Sequence, residues 1–323
     1  MPELRWNPLL GTYTLVATGK PASTSLTNEP CPFCPGSGKV PDKYDVLVYP
    51  SDTPSLSINP DEPAQKTKGL YRVLPAYGVG EIILYSSEHD KPFSQLSPKQ
   101  ITRIVEVWAE RFADLSQNGQ IKYIFPFENS GEEIGGGNNH PHGRLYAYPF
   151  LPLKIEGELT NCRKYYIEHG ENLFDAMNKE EKDYGKRMVL DDKYFTAYIP
   201  YFSDNPYGVY IVAKNSRLHL AEMEANEHKA LAKMLKKITN GFYRLFNRPF
   251  PYKMAIHQAP VNMPEWGDCR NYFRFHIEFY SSMVDETVLK QPGSPEFGDC
   301  VAANTQFVEE SALELRQSIK RFI

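Results

Sequence analysis

Two cysteines three positions apart and two histidines two positions apart hold most of the reactive potential of this sequence. Cys31-Pro32-Phe33-Cys34 runs into Pro35-Gly36-Ser37-Gly38. A CxxC turn in Gly/Pro surroundings lets two thiolates converge on one ion. A redox pair of the thioredoxin kind should instead open a helix after a strand, and CPGSGKVP is a poor helix start. The plain alternative is a pair of thiols with no ligand role. A tetrahedral centre needs two further ligands, for which His89 and His140 are the candidates.

The second constellation is Phe127-Glu128-Asn129-Ser130-Gly131, then Gly135-Gly136-Gly137-Asn138-Asn139-His140-Pro141-His142-Gly143-Arg144. Consecutive glycines let the backbone approach a ligand closely, and their N–H groups can line an anion-binding concavity. In an extended chain, His140 and His142 share a face. Donors that hold non-bridging oxygens beside an imidazole that attacks phosphorus are what phosphoryl or nucleotidyl transfer requires. Neutral imidazole is nucleophilic near pH 7. A lone HxH is more often a metal pair or a core feature; the triple glycine, HPHG and Arg144 together favour function.

A third group is His257 with His276-Ile277-Glu278 in NYFRFHIEFY, where Arg274 is expected to share the face of His276 and Glu278. Ionisable groups among Tyr272, Phe273, Phe275 and Phe279 need partners. A salt-bridged strand face and a metal-ligand set both satisfy that need. His169, His219 and His228 read as surface histidines.

Two amphipathic stretches must carry these motifs. Ile101, Ile104, Val105, Trp108, Phe112 and Leu115 recur at helical spacing between Ser97 and Gln117, opened by Ser97-Pro98. Leu231, Met234, Leu235, Ile238, Phe242 and Leu245 do so between Glu222 and Phe246. Each helix follows a strand-like run (Glu81–Tyr85, Gly208–Val212) and precedes an aromatic one (Ile121–Phe127, Tyr272–Tyr280). The expected fold class is therefore α+β: two related halves built on a mainly antiparallel sheet covered by helices on one side. Residues 1–160 would form the first half, 161–192 a charged connecting segment and 193–323 the second half.

Composition sets the outer limits. The chain has 323 residues, 41% hydrophobic and 24% charged, with 36 basic against 40 acidic side chains. No basic block exists to neutralise nucleic acid, and no run of about 18 apolar residues exists to span a membrane. No secretory leader is visible, and an odd count of five cysteines suits a reducing compartment, so a soluble cytoplasmic protein is expected.

From RWNPLLGTYTLV through CPFC, SSEHDKPFSQLS, FENSG, NNHPHG, IPYF and FPYKMAIHQAP to FRFHIEFY, the chain resembles the galactose-1-phosphate uridylyltransferase family. That family is the hexose-1-phosphate nucleotidyltransferase branch of the histidine-triad superfamily, so two histidine-triad-like halves are implied. By position, the resemblance implies a structural zinc site at Cys31, Cys34, His89 and His140, and His142 as the nucleophile that takes the nucleotidyl group. It places Asn129 near the phosphates, Phe33 on the base and Asp52 on the ribose. Glu158, His257 and His276 match three of four ligands of a second metal site, for iron or zinc. The implied reaction exchanges a uridylyl group between a UDP-sugar and a hexose 1-phosphate, and the implied assembly is a homodimer.

The chain departs from the family pattern in several places. Arg144 stands where Gln is usual, and Glu278 where the fourth ligand is usually His. Glu296-Phe297 replaces a Lys-Phe pair that grips the sugar phosphate. Two arginines common after the first strand are absent, leaving Lys20. An adenylyl-specific relative, a histidine-triad hydrolase and a non-catalytic zinc-bound nucleotide-binding protein are the alternative readings.

Overall fold

The computed structural model describes residues 2–17, 31–51, 54–64, 67, 69–134, 140–281, 283–290 and 293–321. Lys20, Asp52, Gly135, Gly136 and Gly137 lie outside these. The strands are β1 (Glu3–Asn7), β2 (Thr12–Val16), β3 (Leu47–Pro50), β4 (Val73–Pro75), β5 (Val79–Leu84), β6 (Tyr123–Ser130), β7 (His142–Tyr148), β8 (Met188–Asp191), β9 (Phe195–Tyr198), β10 (Tyr210–Ala213), β11 (Tyr252–His257) and β12 (His276–Ser281). The helices are α1 (Pro98–Ser116), α2 (Leu153–His169), α3 (Leu173–Tyr184), α4 (Ala225–Leu245), α5 (Ser294–Gly298) and α6 (Val308–Lys320).

Nine strands form one antiparallel sheet in the order β3-β5-β7-β6-β11-β12-β10-β9-β8, and β2-β1-β4 form a small second sheet. The order β5-α1-β6-β7 recurs as β10-α4-β11-β12, mirrored about the β6–β11 seam. This is the α+β plan of two related halves. The partner of Ile121–Phe127 in the second half is β11, however, and not the Tyr272–Tyr280 run. That run becomes strand only from His276, because residues 269–272 turn through a short 3₁₀ segment.

Both long helices form where their apolar spacing and caps dictate. The Ser97 hydroxyl accepts from the Gln100 N–H, Pro98 occupies the first turn, and Ile101, Ile104, Val105, Trp108 and Phe112 are buried. Glu224 and Glu227 form a reciprocal capping box at the start of α4. With α6, these helices bury one face of the sheet, through Ile83, Leu145, Ile124, Met254, Ile256 and Ile277. The opposite face is not bare, as one-sided cover would require. Helices α2 and α3, which account for most of the stretch expected to be a connecting segment, set Ile155, Leu159, Cys162 and Phe174 against Tyr198, Val212 and Phe273. Further along, the small sheet packs Leu4 towards Tyr146 and Tyr148. Between these two covers lies a half-buried to exposed strip: His142 and Arg144 on β7, Phe127 and Asn129 on β6, and Lys253 on β11. Among the described residues no helix is long and apolar enough to cross a membrane.

Behind that strip sits Glu128, 5% exposed, with Oε1 accepting from the Tyr252 hydroxyl at 2.8 Å. Burial pushes its carboxyl up to about 7, against a smaller opposing effect of the Tyr252 and Tyr85 hydroxyls. Between an ordinary Glu value and about 7, the folded chain keeps a proton that the unfolded chain releases. Stability is therefore expected to fall as pH rises through that window and to level off above it. Glu128→Gln should remove this slope, gaining about 2–3 kcal/mol at pH 8 and little at pH 4. Chemical denaturation of both proteins at the two pH values checks it; equal gains at both would refute the titration.

Candidate active site and metal centres

Four donors expected from distant parts of the chain meet at the end of β7. Ligand atoms of Cys31, Cys34, His89 and His140 all lie within 4.8 Å of one another. His89 Nδ1 is 3.3 Å from Cys34 Sγ, and His140 Nδ1 is 3.8 Å from Cys34 Sγ and 3.9 Å from Cys31 Sγ. Tetrahedral zinc sets such ligand atoms roughly 3.4–3.8 Å apart. His140 Nε2–H donates to the Ser86 carbonyl at 2.8 Å and lies 2.7 Å from the Tyr44 hydroxyl, which itself donates to the Phe33 carbonyl. That bond fixes the tautomer and leaves the Nδ1 lone pair facing the sulfurs. Burial and the adjacent Cys31 raise the Cys34 thiol to about 11, so thiolate forms here when a cation displaces the protons. The four residues fit a tetrahedral divalent ion.

His142, the first residue of β7, is aimed by the same turn. Its Nδ1–H donates to the His140 carbonyl at 2.8 Å, which leaves Nε2 as the ring's lone-pair nitrogen. Burial pushes its pKa down to about 4, with the positive Arg144 acting in the same direction, so the ring is neutral at pH 7. The Phe33 ring lies 6.0 Å from the His142 ring and 5.6 Å from Tyr49, forming an aromatic wall beside the imidazole. Gly143 explains the motif's last letter. A Cβ there would overlap the hydroxyl of Tyr85, itself wedged between Phe93 and Trp108. Only glycine lets β7 lie this close to the core while presenting His142 on the other face.

Cross-strand pairing places the remaining expected residues. Phe127 pairs with Arg144, so Asn129, two residues on, leaves the same face of the sheet as His142. Arg144 is half-buried and makes no hydrogen bond or ion pair among the described residues. Glu296 accepts from the Gly293 N–H at 2.9 Å and pairs with Lys290 at 3.3 Å.

The second cluster assembles on β11, β12 and α2. Glu158, His257, His276 and Glu278 also bring ligand atoms within 4.8 Å of one another. His257 Nδ1 lies 3.1 Å from both Glu158 oxygens, and His276 Nε2 lies 3.5 Å from Glu278 Oε1. His276 Nδ1–H donates to the Arg274 carbonyl at 3.0 Å. Burial opposes ionisation of Glu278, but His257, His276 and Lys154 together hold its carboxyl well below the usual range. Lys154 Nζ reaches Glu278 Oε2 at 2.5 Å. Arg274 does not join the cluster. It precedes the strand and turns away to Asp175 at 2.6 Å, so the shared face expected from simple alternation fails there. Two carboxylates and two imidazoles fit a divalent ion, and equally a buried network of side-chain pairs.

Of the remaining histidines, His169 rests on Tyr165. His219 and His228 are half-buried rather than surface residues, His219 stacking on Phe112 at 4.5 Å and His228 meeting the Leu220 carbonyl at 3.0 Å. Tyr44 and Lys154 are site residues that sequence reasoning missed. Lys154 precedes Glu158 by four positions, a spacing that signals a helical pair; Tyr44 has no comparable local signal.

Family models match both halves of the chain. The N-terminal domain of galactose-1-phosphate uridyl transferase matches residues 4–152, and its C-terminal domain matches residues 158–291. A galactose-1-phosphate uridylyltransferase of Thermotoga maritima is 36% identical over 98% of this chain and 99% of its own. The one from Haemophilus influenzae is 27% identical over 90% of this chain and 86% of its own. A solved uridylyltransferase superposes with a TM-score of 0.90 at 29% identity, covering 99% of each chain. An ADP-glucose phosphorylase from Arabidopsis thaliana shares the fold, with a TM-score of 0.74 at 21% identity over 98% of each chain. This chain belongs to the galactose-1-phosphate uridylyltransferase family.

Proposed function

We propose that this uridylyltransferase exchanges UDP-glucose and galactose 1-phosphate for UDP-galactose and glucose 1-phosphate by a ping-pong route through uridylyl-His142. One observation carries the mechanism: His142 has Nδ1–H tied to the His140 carbonyl, leaving Nε2 as the attacking atom beside the Phe33 ring. Nε2 bonds to the α-phosphorus while the bridging P–O bond breaks, its electron pair leaving on the hexose 1-phosphate. The Nδ1 proton stays in place, and the carbonyl stabilises the positive ring that results. A second hexose 1-phosphate attacks the same phosphorus and returns the lone pair to Nε2.

In this reading Phe33 packs on the base and Asp52 accepts from the ribose hydroxyls. Asn129, Arg144 and the N–H groups of Gly135, Gly136 and Gly137 hold the phosphoryl oxygens. Cys31, Cys34, His89 and His140 hold zinc, the ion that two thiolates and two imidazoles select, and its bound form would cross-link the turn that aims His142. The carboxylate-rich set of Glu158, His257, His276 and Glu278 holds a second divalent ion, iron or zinc. The working assembly is a homodimer.

The test is a donor panel with UDP-glucose or ADP-glucose, each with galactose 1-phosphate, phosphate or water alone. UDP-galactose formed from the first pair, with no turnover in water, is the expected result. Preference for ADP-glucose with phosphate would replace this reading with an adenylyl phosphorylase, and product in water with a hydrolase.

A further inference from the structure

Lys253 has no role in the reading above, yet it stands on the same strip of sheet. It pairs directly with Asn129 across the β6–β11 seam, so both side chains leave the same face, and on that face Phe127, two residues before Asn129, pairs with Arg144, two residues after His142. β11, which carries Lys253, lies two strands from β7, roughly 10 Å across the sheet. Its neighbours along the strand, Tyr252 and Met254, are buried on the opposite face. Lys253 is exposed and, among the described residues, makes no ion pair or side-chain hydrogen bond. Other cations near the strip are committed or closer to the nucleophile: Lys154 is held by Glu278 and Tyr280, while Arg144 is two residues from His142.

We infer that Lys253 binds the phosphate of the departing and entering hexose 1-phosphate, opposite the nucleoside side of His142. This rests on the reading of His142 as nucleophile. The Phe33 wall lies on the β3 side of His142, towards Tyr49, which leaves the β6–β11 side for the sugar phosphate. Arg144 and Lys253 flank β6 as two cations without a partner among the described residues, one for the transferring phosphoryl group and one for the group it leaves or joins. When the bridging bond breaks, negative charge grows on that outer phosphate, and a cation there stabilises the transition state more than the bound substrate.

Two donors separate this role from a structural one. UDP-glucose expels a sugar phosphate; the 4-nitrophenyl ester of uridine 5′-monophosphate expels a phenolate that carries no phosphate. Lys253→Met should raise KM for galactose 1-phosphate at least tenfold and slow uridylylation of His142 by UDP-glucose to a similar degree. The nitrophenolate burst from the ester should stay within about twofold of wild type, and Lys253→Arg should recover most of the lost UDP-glucose rate. Equal slowing with both donors, or an unchanged KM for galactose 1-phosphate, overturns the inference. A wild-type protein that forms no uridylyl adduct with either donor overturns the nucleophile assignment itself, and this inference with it.

Discussion

Replacing His142 by glycine is expected to reduce uridylyl exchange by at least about 10⁴-fold, because on the proposed mechanism its imidazole forms the covalent intermediate. Its Nε2 is the ring nitrogen left free by the Nδ1 bond to the His140 carbonyl, and burial keeps the ring neutral. Asn129 and Arg144 can hold a phosphate but cannot replace the lone pair. Isotope exchange between labelled glucose 1-phosphate and UDP-glucose measures the loss, and intact-mass analysis should show no added uridylyl group. The variant should keep wild-type metal content, since the ring of His142 is not among the four donors. Exchange at the wild-type rate would exclude the covalent route.

Cys34→Ser has the next largest expected effect, and it acts at a distance from the reaction. Cys34 Sγ is the donor nearest to both His89 and His140. A serine hydroxyl is a poor ligand for zinc, so one equivalent of metal should be lost. The turn that sets the His140 carbonyl would then be free to move, and the nucleophile would lose its aim. Turnover should fall 10- to 100-fold or more, and the melting temperature should drop in the range that chelation of the wild-type protein produces. A second equivalent retained by the variant belongs to the Glu158–Glu278 cluster. Wild-type metal content and melting in Cys34→Ser would remove the structural role assigned to this centre.

Local patterns were legible in the sequence where one rule decides the outcome. The apolar spacing of α1 and α4, the Ser97-Pro98 cap of α1, the CxxC turn and the HPHG run each appear in the structure where expected. Distant pairings could not be read from short-range patterns. Arg274 alternates with His276 and Glu278, but the chain is not extended at Arg274, and Asp175 from α3 captures the guanidinium. The apolar positions of α2 and α3 are hidden in a segment dense in charge, so their cover of the second face went unread. β11 was visible as a motif around His257 but not as the counterpart of β6, because its apolar run is short and Lys253 interrupts it. Lys253 and Tyr44 acquire meaning only from what the fold sets beside them.

The two halves orient one imidazole each by an identical device. His142 opens β7 and bonds the carbonyl two residues earlier; His276 opens β12 and does the same to Arg274. In the first half the remaining nitrogen belongs to a half-buried ring beside Phe33. In the second it is enclosed at 1% exposure, facing two carboxylates beneath α2. On the proposed mechanism, saturation labelling should therefore stop at one nucleotide per polypeptide, because the matching imidazole of the second half is enclosed.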